Sequence, residues 1–399
     1  MSITRDKFTN GQKNTLKELE KQKNIILTGK PGTGKTEFLR VISAMMSVDG
    51  KKVIETGSTG MAASNLDHGH TIHSILHWHP LKERYDYDYC SSSIDGADLL
   101  IIDEVSMLNT AIINHLFECL EHTVKRPQII MSGDFFQLPP VKDKLYPFEN
   151  KHWGDFGLTP CVLTDVVRQA DPEYKAMLEK AMLADSTCLG YFNTKTSKNY
   201  IDGAICICTK NEFASAINRK FFDLLPGTAK KYDAQGDNIR HANFNTTRIE
   251  EHLLLKKGMR VLSLRNDGAE RYQNGSLGTV VDMCDDSIRV QFDNGNIADI
   301  NRFSYEIDNK VENENPVMVW QFPLLGGYAI TIHKSQGQTF DAVNIKAPRC
   351  WDPGQLYVAL SRARSIETMH LMEHITPFSL ITDPRVMNYY LSLCGNSVA

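Results

Sequence analysis

The chain has 399 residues, of which 42% are hydrophobic, and its 44 basic and 48 acidic residues give a formal net charge of −4. This length predicts about two or three domains with ordinary hydrophobic cores. The near balance of charge excludes a basic field over the whole molecule, so any nucleic acid must bind in a local groove. The first residues have no signal-peptide core, and no apolar run approaches the roughly 20 residues of a membrane-spanning helix. We therefore expect a cytoplasmic protein without membrane contact.

The first predicted element is an amphipathic helix from Phe8 to Leu19, which places Gln12 shortly before the first strand. A polar side chain at such a position can hydrogen-bond the edge of a nucleotide base when a phosphate-binding loop follows. For an isolated glutamine, a solvated helix position is the commoner interpretation.

A strand, a glycine-rich loop and a helix follow in immediate succession from Asn24 to Ile42. The loop has the spacing G-x-x-x-x-G-K-[ST], in which glycines let backbone N–H groups close around phosphates and the lysine neutralises the outer ones. The helix that begins near Lys35 would point its own N–H groups at the same anion. The sequence therefore predicts a nucleotide-binding loop formed by Gly29, Pro31, Gly32, Thr33, Gly34, Lys35 and Thr36.

A second strand and helix start are predicted within Lys52 to Ala63, which continues the alternation of strands and helices. A histidine-rich stretch comes next, with His68, His70, His73, His77 and His79. A metal site is one hypothesis, because His73 and His77 could share a helix face. No thiol or carboxylate cluster completes a ligand set, so the histidines are better explained without a metal.

Residues 77–94 interrupt the alternation, and we predict a small hairpin insertion there. Tyr85, Tyr87 and Tyr89 alternate with aspartates, and a period of two predicts a short strand. With Trp78, these tyrosines could stack on bases and act as a strand-separating pin. A tyrosine face packed on the parent domain is an equally good interpretation.

A buried strand is predicted within Asp98 to Leu108, and it delivers Asp103 and Glu104 at its carboxyl end. Asp103 can hold Mg²⁺ together with Thr36, and Glu104 can polarise the attacking water. An apolar run followed by two acids is only moderately specific alone, but it becomes a strong signal as the partner of a phosphate loop.

Another strand within Gln128 to Val141 runs into Gly133, Asp134 and Gln137 before two prolines end regular structure. A glutamine at this position could contact the γ-phosphate and sense its loss. A turn whose polar residues only satisfy backbone groups fits the spacing as well.

From Leu163 onward, predicted helices and strands alternate again, which indicates a second domain of the same type. Residues 257–303 differ, since short alternating strands are joined by Asn-Gly turns at Asn274 and Asn294, a hairpin signature. We interpret this part as a small β-barrel insertion. It could contact DNA or the insertion near Tyr87, or only brace the fold.

Taken together, the motifs resemble those of the superfamily 1 DNA helicases of the 5′-to-3′ class, the branch that contains RecD and the petite-integration-frequency helicases. The resemblance covers most of the chain, and its blocks occur in the family's order. These blocks are GKPGTGKT, GSTGMAA, GHTIHSIL, IIDEVSM, GDFFQLPPV, LTDVVRQ, GYAITIHKSQGQTF and LYVALSRARS. Eight blocks in this order indicate the family far more specifically than any single block does.

The resemblance implies ATP and Mg²⁺ as cofactors and gives roles to individual residues. Gln12 would contact the adenine base, Lys35 would bind phosphate and Thr36 would bind Mg²⁺. The Asp103 carboxylate would bind the metal and the Glu104 carboxylate the attacking water. Gln137 would sense the γ-phosphate. Arg168 and Arg362 match the two arginines that such helicases reach into the site from the second motor domain, where an arginine stabilises charge on the transferring phosphoryl group.

The blocks that resemble DNA-contacting motifs contain small hydroxyl side chains and backbone amides, which suit phosphate contacts that position a strand without reading its sequence. These predicted DNA contacts are Thr59, Gly60, Ala63, Thr71, His73, Thr331, His333, Lys334, Ser335 and Gln336. Gly337 would let the backbone approach a phosphate or the neighbouring domain.

The implied fold is α/β, with two RecA-like P-loop NTPase domains in tandem. The first domain would comprise 1–76 and 95–162, with the hairpin insertion at 77–94. The second would comprise 163–255 and 319–399, with 256–318 as a small β-barrel of Src-homology type. The segment between SML and GDFFQ lacks the Arg- and glycine-rich signature of the eukaryotic branch, and both insertions are short, which indicates a compact bacterial, phage or viral motor.

The expected function is an ATP-dependent helicase that moves 5′ to 3′ along single-stranded DNA, using ATP hydrolysis in the cleft between the two RecA-like domains. Its expected partners are single-stranded DNA and tailed duplex DNA, and we expect a monomeric motor. One alternative is a translocase on RNA, for which the motifs discriminate little. A second alternative is a nucleotide-gated clamp without unwinding, although such a protein could dispense with Glu104 and the arginines.

Overall fold

The computed structural model describes residues 8–59, 62–63, 65–78, 85–140, 143–165, 171–244, 247, 249–307, 309–310 and 317–393. Two predicted site residues, Gly60 and Arg168, lie outside these ranges. The strands are β1 Ile25–Gly29, β2 Val53–Gly57, β3 His70–Thr71, β4 Leu99–Asp103, β5 Gln128–Gly133, β6 Thr159–Leu163, β7 Ile205–Cys208, β8 Lys230–Asp233, β9 His252–Leu255, β10 Arg260–Ser263, β11 Leu277–Met283, β12 Ser287–Phe292, β13 Ile297–Asn301, β14 Phe303–Ile307, β15 Val317–Gln321, β16 Leu324–Gly326, β17 Ala329–Thr331, β18 Val343–Lys346 and β19 Met369–Leu371. The α-helices are α1 Asn10–Glu20, α2 Lys35–Val48, α3 Ile72–Ile75, α4 Tyr87–Ser91, α5 Thr110–Glu121, α6 Pro172–Met182, α7 Leu189–Asn193, α8 Asn211–Leu224, α9 Ile332–Ser335, α10 Gln355–Leu360 and α11 Pro384–Leu393.

The contacts divide the chain into two compact units. The first unit comprises Met1–Thr196, Ala347–Thr368 and His374–Ala399, and the second comprises Ser197–Lys346 and Met369–Glu373. This grouping differs from the predicted boundaries, which assign 163–196 and all of 347–399 to the second domain. The reason is side-chain packing: α6 contacts α10 within the first unit, where the Tyr174 hydroxyl donates to the Leu360 carbonyl at 2.6 Å.

The first unit contains a six-stranded sheet in the order β3-β2-β4-β5-β1-β6, and all of its pairings are parallel. β1, β4 and β5 are buried along their whole length, as strands covered on both faces must be. In such a sheet, binding residues collect at the carboxyl ends of the strands. β1 ends at Gly29, β4 at Asp103 and β5 at Gly133, so the predicted nucleotide residues lie along one edge.

The N-terminal caps of α1 and α2 determine where these two helices begin. α1 begins after Thr9, whose side chain accepts from the Gln12 N–H while the Gln12 side chain accepts from the Thr9 N–H, a reciprocal capping box. α2 begins at Lys35, directly after Gly34, whose φ of 77° lies in the left-handed region. The phosphate loop therefore leads directly into the positive end of a helix.

The predicted strand through the tyrosines is wrong, because Tyr87–Ser91 forms the helix α4. The Asp86 side chain caps this helix by accepting from the Tyr89 N–H, which favours a helix start over an extended chain. The Tyr85 and Tyr87 rings pack on His115 of α5, at centroid distances of 4.2 and 5.4 Å. Within the described part of 77–94 there is no strand, and the alternative of tyrosines packed on the parent domain holds for these two.

The second unit contains a four-stranded parallel sheet in the order β17-β7-β18-β19. It also contains a five-stranded antiparallel sheet, β13-β12-β11-β10-β16, and the two-stranded pairs β14-β15 and β8-β9. The Asn294–Gly295 turn lies between β12 and β13, and Gly295 has a φ of 87° that favours glycine. Apolar side chains of alternating residues in β11, β12 and β13 form one core cluster of this unit.

None of the helices in the described ranges combines the length and the apolar character needed to cross a membrane.

Candidate nucleotide-binding site

The phosphate loop between β1 and α2 is built for close approach of the backbone. Gly32 has a φ of 81°, and a Cβ atom on Gly29 would lie 2.5 Å from the Leu163 carbonyl oxygen, so that position accepts only glycine. Lys35 Nζ donates to the carbonyl oxygens of Gly29 at 2.6 Å and of Lys30 at 3.3 Å. These bonds hold the ammonium group inside the loop, where it can meet an anionic ligand.

Thr36 and Asp103 form a hydroxyl–carboxylate pair at the start of α2. Thr36 Oγ1 donates to Asp103 Oδ2 at 2.7 Å, and the Glu104 N–H donates to Asp103 Oδ1 at 2.9 Å. Burial raises the pKa of the Asp103 carboxyl, while these two bonds and the charge of Lys35 oppose the shift. Oxygen ligands of this kind suit Mg²⁺, so the residues fit the cation that the sequence predicts.

The histidine-rich stretch gives no comparable site. In the described ranges, no group of three or more His, Cys, Asp or Glu side chains is arranged to hold a metal ion. His79 lies outside those ranges. Among the others, the His73 ring meets the Trp78 ring at a centroid distance of 5.1 Å, and the Glu55 carboxylate accepts from the His68 N–H at 2.7 Å.

Glu104 follows Asp103 in an unusual backbone conformation. Its φ of 55° and ψ of 41° lie in the left-handed region, which a glutamate rarely adopts. Such conformations cluster at functional sites, where the surrounding structure holds them. The turn separates the two carboxylates, so that Asp103 is buried at the end of β4 while Glu104 keeps partial exposure.

The loop after β5 carries Gln137 and a second buried acid, Asp134. Gln137 Nε2 donates to Asp134 Oδ2 at 3.3 Å, whereas Gln137 Oε1 is buried without a hydrogen-bond partner in the described structure. A buried amide oxygen of this kind is expected to have a partner in the working state, such as a ligand or a bound water. Burial raises the pKa of Asp134, against the opposing charge of Lys35. No role is predicted for Asp134 from the sequence, although its position after a buried strand is a usable signal.

Arg362 is 1% exposed and belongs to the first unit by its contacts. Its Nε donates to the Val358 carbonyl at 2.9 Å and its Nη2 to Ser361 Oγ at 2.7 Å. Burial lowers the pKa of the Arg362 guanidinium, and the nearby charge of Glu104 opposes that change. The sequence predicts an arginine contributed by the second motor domain; the contacts group Arg362 with the first compact unit, and its role stays a prediction.

A cavity of about 400 Å³ lies beside the phosphate loop, within the size range of small-molecule sites. Its lining residues all belong to the first unit: Lys30, Pro31, Thr164, Asp165, Lys175, Leu178, Glu179, Tyr357 and Ser361. A surface ion pair between Lys30 and Glu179, at 2.7 Å, crosses from the loop to α6. The sequence missed Thr164 and Asp165, which follow β6 at the same edge as the loop. Gln12 does not line this cavity, since its side chain serves the cap of α1.

The predicted DNA contacts of the first unit are only partly exposed. Thr59 Oγ1 accepts from the Ala62 N–H at 3.1 Å, and Thr71 caps α3 by accepting from the Ser74 N–H. Ala63 is 4% exposed, and its backbone leaves no space for a Cβ on Gly57. The Ala63 side chain is therefore packed inside the turn, and the predicted contact of this residue with DNA stays a prediction.

In the second unit, the predicted contacts divide by burial. Thr331 caps α9 by accepting from the Lys334 N–H, and the buried Ser335 hydroxyl donates to the Ile332 carbonyl at 2.8 Å. Gln336 is also buried, at 4% exposure, whereas His333 and Lys334 are half-buried. The two basic side chains are therefore the accessible members of this set, and the Ser335 hydroxyl is already used within the helix. Gly337, with a φ of 78°, follows them in a conformation that favours glycine.

A phosphate loop, a hydroxyl–carboxylate pair and a glutamine at one edge of a parallel sheet define a P-loop nucleotide hydrolase with RecA-like α/β domains. A family model described as an AAA domain matches residues 7–192, and one described as a UvrD-like helicase C-terminal domain matches 326–365. The chain belongs to the Pif1 family of ATP-dependent DNA helicases. It is 31% identical to the ATP-dependent DNA helicase Pif1 of Bdellovibrio bacteriovorus, over 96% of this chain and 92% of that one.

Other comparisons agree with this assignment. The chain is 29% identical to human ATP-dependent DNA helicase PIF1 over 98% of its length, but spans only 64% of the human protein. It superposes on the crystal structure of Bacteroides Pif1 bound to ssDNA with a TM-score of 0.75 and 29% identity, covering 96% of each chain. The Bacteroides helicase in complex with ADP-AlF3 and ssDNA gives a TM-score of 0.77 at 29% identity, covering 98% of each chain. The fold is therefore that of two RecA-like domains in tandem, of the compact bacterial type.

Proposed function

We propose that this chain is an ATP-dependent DNA helicase that moves 5′ to 3′ along single-stranded DNA and separates duplex ahead of it. The observation that carries the proposal is the Thr36–Asp103 hydrogen bond of 2.7 Å, next to a lysine held in the phosphate loop. A cation held by this pair would lie beside the phosphates bound by the loop, as hydrolysis of a nucleoside triphosphate requires, and this supports the proposal. Relatives named as DNA helicases over nearly the whole chain support the DNA substrate.

Within this site the residues divide the work of phosphoryl transfer. Thr36 and Asp103 would hold Mg²⁺, which would neutralise phosphate charge when bound. Lys35 binds the outer phosphates, and Glu104 orients the attacking water and accepts its proton. Arg362 stabilises the charge on the phosphoryl group during its transfer, and the resemblance gives Arg168 the same role. Gln137 senses the γ-phosphate through its unpartnered amide oxygen.

The nucleoside part of ATP would lie near the phosphate loop, with Gln12 reading the adenine edge. In the structure, the Gln12 carbonyl oxygen accepts the Thr9 N–H, so base recognition would use the amide nitrogen or require the cap to open. The adjacent cavity supplies a space of suitable size for the rest of the nucleotide.

Contacts with DNA would come from polar groups at the surface of each unit. In the first unit, these are Thr59, Thr71 and His73, with the backbone of Gly60. In the second unit, they are His333 and Lys334, together with the backbone near Gly337. The antiparallel sheet of β10 to β13 and β16 would be the small β-barrel of Src-homology type. The solved structure of two coordinating Pif1 helicases at forked dsDNA concerns a relative, and we propose a monomeric motor for this chain.

The test is stimulation of ATP hydrolysis by nucleic acid. Wild-type protein is assayed with Mg²⁺ and single-stranded oligonucleotides of DNA or RNA of one sequence, with Lys35→Ala as the inactive control. We expect strong stimulation by DNA, little by RNA, and none in the variant. Equal stimulation by RNA would favour the RNA translocase, and a protein that binds DNA without any hydrolysis would be the nucleotide-gated clamp.

A further inference from the structure

The C-terminal helix α11 packs two consecutive tyrosines against the two consecutive phenylalanines of the loop after β5. The Tyr389 ring meets Phe135 edge-on, with centroids 5.3 Å apart, and the Tyr390 ring stacks on Phe136, with centroids 4.7 Å apart. Aromatic pairs of both kinds stabilise beyond the area that they bury. A helix from the end of the chain thus holds the loop that carries Gln137.

The Tyr390 hydroxyl uses its whole hydrogen-bonding capacity in this contact. It accepts from the Phe135 N–H at 3.3 Å and donates to Asp134 Oδ1 at 3.4 Å. Thr28 Oγ1 lies 2.5 Å from the same oxygen. A phenol has one proton to donate and two lone pairs to accept. Either hydroxyl could donate in this contact; with the Tyr390 proton directed at Asp134, the Thr28 hydroxyl serves as the donor.

The Asp134 carboxylate is connected to the phosphate loop through Tyr390 and Thr28, and it contacts Gln137 directly. Thr28 directly precedes Gly29, whose carbonyl accepts from the lysine of the phosphate loop. On the other side, Asp134 Oδ2 accepts from Gln137 Nε2 at 3.3 Å, and the Tyr357 hydroxyl lies 3.5 Å from the same oxygen. The amide of Gln137 is therefore oriented by a carboxylate that is itself held by the Tyr390 hydroxyl and by the Phe136 N–H, which donates to Asp134 Oδ1 at 3.1 Å. This arrangement leaves Gln137 Oε1 for the γ-phosphate or the attacking water.

We propose that Tyr390 is a positioning residue for γ-phosphate sensing: its hydroxyl fixes Asp134, and through Asp134 it fixes Gln137 relative to the phosphate loop. The inference rests on the ATP hydrolysis proposed above. Tyr390 acts through Asp134 and Gln137, and its contribution comes from the orientation of a buried hydrogen-bond network.

The direct test is Tyr390→Phe, which keeps the ring on Phe136 and removes only the hydroxyl. The assay compares kcat of DNA-stimulated ATP hydrolysis, the affinity for ADP and the affinity for a non-hydrolysable ATP analogue. We expect kcat to fall about tenfold, and the preference for the analogue over ADP to fall by a similar factor, because one hydrogen bond in the network is lost. The affinity for ADP should not change, since ADP has no γ-phosphate to sense.

Tyr389→Phe is the matched control. The Tyr389 hydroxyl takes no part in the hydrogen bonds described for Thr28, Asp134 and Gln137, so its removal should leave all three quantities at wild-type values. If Tyr390→Phe instead lowers the affinities for ADP and the analogue together with the thermal unfolding midpoint, Tyr390 has only a structural role and the proposal is overturned. Wild-type kcat and wild-type nucleotide preference in Tyr390→Phe would overturn it as well.

A double-mutant comparison tests the route through Gln137. If Tyr390 acts through this glutamine, Tyr390→Phe should cause no further loss of kcat in a Gln137→Ala background, whereas additive losses would overturn the proposal. Should Tyr390→Phe fail to fold, Thr28→Val removes the donor on the other side of the phenol and must lower kcat and the analogue preference in the same direction. An inactive wild-type protein would contradict the proposed function itself, whereas an active wild type with a normal Tyr390→Phe variant would contradict only this inference.

Discussion

Burial and backbone conformation give the two neighbouring acids of the nucleotide site different properties. Asp103 is buried at the end of β4 and accepts bonds from the Thr36 hydroxyl and from the backbone. Glu104, one residue later, is turned by a left-handed backbone into a partly exposed position near the guanidinium of Arg362. A buried, hydrogen-bonded carboxylate suits a metal ligand, and a partly exposed one suits a base that must exchange protons.

Glu104→Gln tests this division. The substitution keeps the size of the side chain and removes the proton acceptor, so the affinity for ATP should stay near that of the wild type. DNA-stimulated turnover should fall by about a hundredfold to ten-thousandfold, the usual contribution of a general base. Steady-state hydrolysis and equilibrium binding of a fluorescent nucleotide measure the two effects separately.

Glu121→Gln is the control for this variant, because Glu121 lies on the surface at the end of α5 and pairs with Arg126. It should hydrolyse ATP like the wild type. Undiminished hydrolysis in Glu104→Gln would rule out Glu104 as the base.

Among the elements, those with a strong apolar run were predictable, and those set by tertiary contacts were not. The strands β1, β4 and β5 follow from short apolar stretches that end in glycine or acid, and α2 from its apolar spacing after the loop. The helix α4 was missed because a period of two in its tyrosines outweighed the cap supplied by Asp86. The ring of His115, on which two of those tyrosines pack, is close only in the folded chain.

Tyr87→Ala and Tyr89→Ala test the new description of this element. Tyr87 is half-buried between His115 and His122, whereas Tyr89 is 58% exposed. Truncation of Tyr87 should lower the free energy of unfolding by about 1 to 3 kcal/mol, and truncation of Tyr89 should change it by less than about 0.5 kcal/mol. Urea unfolding followed by circular dichroism makes the comparison, and equal losses in the two variants would contradict the packing described for α4.

Tyr89→Ala also tests the predicted strand-separating pin. Trp78, Tyr85 and Tyr87 pack against the core of the first unit, so Tyr89 is the exposed ring of the predicted set. A pin role now depends on Tyr89, and normal unwinding of a tailed duplex by Tyr89→Ala would exclude it for this side chain.

For the molecule as a whole, the order of the motifs predicted the family and the tandem of two α/β domains. The comparisons confirm both, with 31% identity to the Bdellovibrio helicase over 96% of this chain. The residues that belong to each compact unit were harder to predict from the sequence, because this grouping depends on contacts between segments distant in sequence. The bond from Tyr174 to Leu360, which ties α6 to the α10 segment, joins residues 186 apart in sequence. The Tyr390 network arises in the same way, since no motif links the last helix to the phosphate loop.

Helicase activity and polarity are tested together by unwinding of two duplexes that differ only in their single-stranded tail, one 5′ and one 3′, with ATP and Mg²⁺. A motor that moves 5′ to 3′ should separate the duplex with the 5′ tail and leave the other paired, and Glu104→Gln should separate neither. Unwinding of only the 3′-tailed duplex would contradict the polarity, and ATP hydrolysis without unwinding of either duplex would contradict the assignment of helicase activity.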